Sequence, residues 1–113
     1  MKEKFFSLYW LALFLWAGVI FYLSHLPAEE LPGWQIPYLD KVVHAAEFGI
    51  LAWLCFKSFR AFFPALLFSF LYALSDEFHQ LFVPGRCPDI YDLFADVSGI
   101  FLALFLLKKI DKS

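Results

Sequence analysis

The sequence predicts an all-α integral membrane protein, a four-helix bundle formed by residues 1–113 as one domain, with both termini cytoplasmic. Three observations carry this. Of 113 residues 62% are hydrophobic and 22% aromatic, with a mean hydropathy of +0.68, more apolar surface than a soluble fold of this size can bury. The apolar residues come in runs long enough to cross a bilayer as helices, separated by Pro/Gly-rich or charged connections. The basic residues alternate: Lys2, Lys4, Lys57, Arg60, Lys108, Lys109 and Lys112 fall on one side of the implied topology, and only Lys41 and Arg86 on the other. The basic side is expected to be cytoplasmic.

The first span is the uncharged run 5–23, close to the ~20 residues a helix needs to cross. Its basic start resembles a secretory leader, but the apolar run is too long for one. Ser24-His25-Leu26-Pro27-Ala28 also lacks a small-x-small cleavage site, so a retained helix is expected. Residues 24–39 hold Pro27, Pro32, Gly33 and Pro37, which stop helix propagation, with Trp34, Ile36 and Tyr38 suited to the headgroup region. Glu29 and Glu30 read as solvated charges, and His25 as an interfacial residue. The second span, about 41–57, places Asp40, His44 and Glu47 at i, i+4, i+7 on one helical face. Lys57 and Arg60 end it. The short connection makes it an antiparallel neighbour of the third span, about 61–83, in which Pro64 lies near the start, where proline is tolerated.

Ala65, Ser69 and Ala73 then repeat every four residues, a spacing that lets helix backbones approach closely in lipid. Pro84-Gly85 breaks the chain, and Asp89 is placed to cap the fourth span, about 90–107. Asp92, Asp96, Gly99 and Ala103 share a face of that helix, and Ala95, Gly99 and Ala103 form a second small-residue ladder. Cys55 and Cys87 fit no metal spacing and fall toward opposite membrane faces, so no disulfide is expected between them.

The stretch Ser75-Asp76-Glu77-Phe78-His79-Gln80-Leu81-Phe82-Val83-Pro84-Gly85-Arg86 breaks the apolar pattern. Ionisable residues beside hydrocarbon cost roughly 2.5–3.5 kcal/mol each on insertion scales, which marks them as functional candidates. The topology brings three segments to one leaflet, the outer one: the start of span two, the end of span three and the start of span four. They carry Asp40, Lys41, His44, Glu47, Asp76, Glu77, His79, Gln80, Arg86, Asp89, Asp92 and Asp96. Seven acids face two fixed cations there. Crowded carboxylates away from water keep protons, charge nearby histidines or bind a cation, and such groups suit acid–base chemistry. Glu77, Asp76 and His44 are the catalytic candidates. Asp40, Lys41, Glu47, Gln80, Arg86, Asp92 and Asp96 are the ligand-binding candidates, with Arg86 and Lys41 suited to an anionic group.

Structural duties compete for the same residues: Asp40 and Asp89 as caps, Arg86 pairing with Asp92, Asp96 bonding across helices. His44 and Glu47 resemble half of a bundle carboxylate site, but no second Glu-x-x-His unit completes it, so neither a metal nor another cofactor is expected. No basic run suggests nucleic acid. The bilayer is the one partner composition demands; oligomeric state is left open.

Asp40-Lys41-x-x-His44-x-x-Glu47-Phe48, then Tyr72-x-x-x-Asp76-Glu77-x-x-Gln80-x-Phe82-x-Pro84-Gly85-Arg86, then Asp92-x-x-x-Asp96-x-x-Gly99 resemble the VanZ-like membrane proteins, in consistent order over residues 24–107. Two positions depart: Asp96, where that family often has asparagine, and Cys87-Pro88 after Arg86, where small polar residues are expected. The resemblance implies a multi-pass protein of the bacterial cytoplasmic membrane, linked to low-level teicoplanin resistance or envelope maintenance. Its polar pocket would bind a lipid-linked cell-wall precursor or lipoglycopeptide, with modification of that ligand left open. A small proton-coupled transporter and a non-catalytic envelope assembly factor are the competing readings. Small multidrug exporters rely on an acid in the first helix, and span one has none.

Overall fold

The computed structural model describes residues 2–31, 33–86 and 89–111, with side chains given outside residues 2–6, 28 and 111. The described residues contain four α-helices and no strand: α1 Lys2–His25, α2 Leu39–Phe59, α3 Phe62–Gln80 and α4 Ile90–Asp111. Between α1 and α2 lies a single 3₁₀ turn, Ala28–Glu30. Within α1, α2 and α4 the segments Ser7–His25, Leu39–Phe59 and Ile90–Ile110 are long and apolar enough to cross a membrane. Helix α3, at 19 residues, is about 28 Å long by helical rise. It falls outside that set because its last turn is the polar Asp76-Glu77-Phe78-His79-Gln80. It stops three residues before Val83, the expected end of the span. There Phe82 and Val83 bond back to His79 and Gln80 at 3.0 and 3.3 Å, tight turns that lead into Pro84.

Helix α2 is the centre of the bundle, packed against each of the other three, while among the described residues α1 and α4 do not pack on each other. Side-chain pairs give the directions. Tyr9 packs on Trp53 and Trp10 on Phe59, so α1 runs antiparallel to α2. Phe62 meets Phe105, so α3 and α4 are antiparallel. Lys41 bonds Asp92 and His44 bonds Asp96, so α2 and α4 run parallel. Arg60 turns the chain from α2 to α3 in the left-handed region (φ 57°), with its N–H donated to Phe56 O at 2.8 Å.

Glycine lets α2 and α4 approach closely. A Cβ at Gly99 would overlap the Ala45 carbonyl, and one at Gly49 would lie 3.3 Å from Gly99 O. The α4 ladder therefore packs on α2 backbone to backbone. The α3 ladder is also inward: Ala65, Ser69 and Ala73 are fully buried. Leu13, Ile20, Phe48, Leu51, Ile100 and Leu104 fill the core. Large apolar side chains such as Phe14, Leu15, Phe63, Leu71, Leu102 and Phe105 stay on the outside, a surface that matches lipid rather than water. Cys55 is buried and free; Cys87, with which no disulfide is expected, lies outside the described residues.

Candidate functional site at the acidic end of the bundle

The helix directions gather the start of α2, the end of α3 and the start of α4 at one end. The end of α1 joins them. Asp89 caps α4, its Oδ1 accepting the Tyr91 N–H at 2.9 Å, and this sets the first turn of α4 beside Lys41.

Lys41 is the hub of the outer layer. Its Nζ donates to Asp40 Oδ2 at 2.7 Å, Asp89 Oδ2 at 2.9 Å and Asp92 Oδ1 at 2.7 Å. An ammonium group has three donors, so its capacity is filled. The Lys41 ammonium, then the Tyr91 N–H, hold the Asp89 carboxyl below its ordinary 3.8. Stability from that shift is present above the ordinary value and is lost as pH falls through the lower folded one. Around this layer lies an open depression of about 650 Å³ lined by Pro37, Tyr38, Asp40, Lys41, Asp89 and Tyr91.

Beneath it the groups are buried. His44 Nδ1 meets Asp96 Oδ1 at 2.7 Å, and His44 Nε2 lies 3.7 Å from Asp92 Oδ2. Asp96 is 0% exposed, Asp76 and Asp92 6%, His44 7%. Asp96 Oδ2 and Glu77 Oε1 are buried without a hydrogen-bond partner; the other Glu77 oxygen accepts the Asp89 N–H at 3.2 Å. One ligand atom each from His44, Asp76, Glu77 and Asp96 fall within 4.8 Å of one another. Glu47, half-buried, lies within electrostatic reach of His44, Asp76 and Arg86. Its main-chain oxygen accepts the Trp16 indole N–H at 2.9 Å.

Arg86 does not pair with Asp92. Its Nη1 donates to Leu26 O at 2.8 Å and Leu23 O at 3.3 Å, main-chain oxygens in and just past the last turn of α1, of which Leu23 O also accepts the Leu26 N–H at 3.3 Å. A guanidinium carries several donors in a fixed fork and reaches both at once. Arg86 thus ties the α3–α4 connection to α1. Gly85 makes this possible: it sits at φ +82°, and a Cβ there would lie 3.2 Å from Pro27.

His79 turns toward α1, stacked on Phe21 with ring centroids 4.5 Å apart and bonded to His25 at 3.3 Å. Gln80 is buried and donates to Ser24 Oγ at 3.5 Å. Ser24, itself buried, also faces Asp76. By sequence Ser24 opens the Pro-rich connection; in the structure it belongs to the last turn of α1. The signal was present: Leu13, Ala17, Ile20 and Ser24 follow helical spacing, which carries the inward face of α1 to its last turn.

The ligand-binding and catalytic candidates named from sequence lie at this end, most of them in two layers, with Arg86 apart against the end of α1. Asp40, Lys41, Asp89 and Asp92 form the outer ion-pair layer. His44, Asp76, Glu77 and Asp96 form the inner one, with Glu47 beside it and Gln80 on its α1 side. A buried imidazole among carboxyl groups can hold and relay a proton, orient a polar ligand or hold a cation. No curated protein and no solved structure matches the chain. Residues 6–110, nearly the whole chain, match the VanZ/LLP1 family, so the chain belongs to the VanZ-like family.

Proposed function

We propose that this is a multi-pass protein of the bacterial cytoplasmic membrane whose acidic end opens at the outer leaflet. There it binds, and acts by acid–base chemistry on, a lipid-linked envelope ligand, lowering glycopeptide susceptibility. The observation that carries this reading is the inner layer: a buried His44–Asp96 pair with Asp76 and Glu77 against it, below an open, tyrosine-edged depression. Charges kept this far from water are costly in a membrane protein unless they serve a site. Tyr38 and Tyr91 at the rim and exposed Trp34 suit a headgroup region, where a lipid-linked ligand presents its polar part. Lys41, with its donors taken by three aspartates, supports a role in holding the outer layer together.

Orientation is part of the proposal. Lys57, Arg60, Lys108 and Lys109 lie at the opposite end, and clustered lysine and arginine favour the cytoplasmic side. In intact cells, with Cys55 and Cys87 both replaced by Ser, a membrane-impermeant thiol reagent should label Tyr38→Cys and leave Arg60→Cys unlabelled; the reverse pattern would overturn the orientation.

The functional test is teicoplanin susceptibility of a sensitive Gram-positive host expressing wild type, Glu77→Gln or His44→Gln, with membrane levels matched by immunoblot. Reduced susceptibility with wild type alone supports the reading. An unchanged host with all three sinks the glycopeptide part, and protection that survives both substitutions removes the inner layer from the mechanism.

A further inference from the structure

We infer that the inner layer is a binding site for one divalent transition-metal ion, with His44, Asp76, Glu77 and Asp96 as its ligands. The sequence argues against a metal because no ligand pair repeats along the chain. The fold assembles the set instead from three helices: His44 on α2, Asp76 and Glu77 on α3, and Asp96 on α4. Their ligand atoms span at most 4.8 Å. Nitrogen and carboxylate oxygen bind zinc at about 2.1 Å in a tetrahedron, so donors on one ion stand about 3.4 Å apart and the set closes on an ion by side-chain shifts that shorten its widest separation by about 1.4 Å.

Two further observations point to a cation. Asp96 is fully buried, spends Oδ1 on His44 and leaves Oδ2 without a partner, and Glu77 Oε1 is orphaned in the same cluster. Buried oxygens without donors cost free energy, and a metal ion satisfies them at once. The charge balance agrees. Lys41 is committed to Asp40, Asp89 and Asp92, and neither it nor Arg86 makes an ion pair with Asp76, Glu77 or Asp96. Three carboxyl groups and an imidazole therefore lie together with no fixed positive charge bonded to them. A doubly charged ion offsets this where a bound water would not. One imidazole with carboxylates suits zinc or manganese, whereas calcium and magnesium favour all-oxygen shells.

Metal binding is read directly, so it stands or falls separately from any effect on glycopeptides. The full chain, tag-free in detergent micelles, is stripped with a chelator, equilibrated with Zn²⁺ or Mn²⁺, desalted and assayed for retained metal by elemental mass spectrometry, with Mn²⁺ affinity from electron paramagnetic resonance. Wild type and Glu30→Gln, an exposed acid outside the four-residue set, should each retain about one equivalent of Zn²⁺ or Mn²⁺. Asp96→Asn, Glu77→Gln and His44→Gln should each weaken binding more than about tenfold. Asp96→Asn keeps the side chain's shape, so if His44→Gln fails to fold, as judged by circular dichroism and gel filtration, Asp96→Asn and Glu77→Gln decide the matter. Wild type that retains no metal, or folded Asp96→Asn and Glu77→Gln proteins that bind as wild type does, overturns the site.

Discussion

At one end of the bundle Lys108 reaches over the Phe62 ring, 5.0 Å from its centroid, with Lys108 and Lys109 both exposed. At the other, Asp76, Asp92, Asp96 and His44 are almost wholly enclosed. The same four helices build both ends. The lysine end keeps its charges in contact with solvent, where an aromatic face and water suffice, and any one of them contributes little. At the acidic end the charges are held by one another, so each depends on a specific partner across helices. Burial converts charge from a surface property into a constraint on the fold.

The largest expected break in this comparison is His44→Leu. It leaves Asp96 enclosed without the group that bonds it and should lower stability by about 3–5 kcal/mol, the range for one partner lost from a buried pair. Lys108→Gln, the matching change at the other end, should cost under about 1 kcal/mol. Denaturant unfolding of both variants in the same detergent measures the contrast, and equal losses would remove the distinction between the ends.

A smaller effect is expected where the two parallel helices touch. Gly99→Ala places a methyl group against the Ala45 carbonyl and should cost about 1–3 kcal/mol. Gly18 on α1 has nothing within 4 Å of a built Cβ. Gly18→Ala should therefore be neutral or add up to about 1 kcal/mol through helix propensity. Thermal unfolding of the pair separates the two, and a tolerant Gly99 would mean that the α2–α4 approach is looser than drawn.

Much of this was legible in the chain. Runs of helical length between Pro, Gly and charged breakers marked the helices, because backbone groups in lipid must be satisfied within the segment. Asp89 was readable as a cap from its place before an apolar run. The convergence of Asp40, His44, Asp76, Gln80, Asp92 and Asp96 on one end followed from alternating helix direction alone. Ser24 was lost because Pro27 drew the boundary of α1 too early. Charge alone leaves Arg86 open to an anionic ligand or to Asp92, whereas its position beyond Gly85 puts it against the carbonyl end of α1.

The sequence by itself determined which residues share a helix face and which end of the bundle they reach, since periodicity and chain direction are local properties. Tertiary structure alone decided the partners. Nothing in the spacing says that α2 packs beside α4 in parallel, with Gly99 against the Ala45 backbone. Nor does it divide the seven acids into a trio held by Lys41 and a buried set around His44. Those choices join residues about 50 positions apart, and only the close approach that glycine permits selects among pairings that satisfy the same apolar pattern.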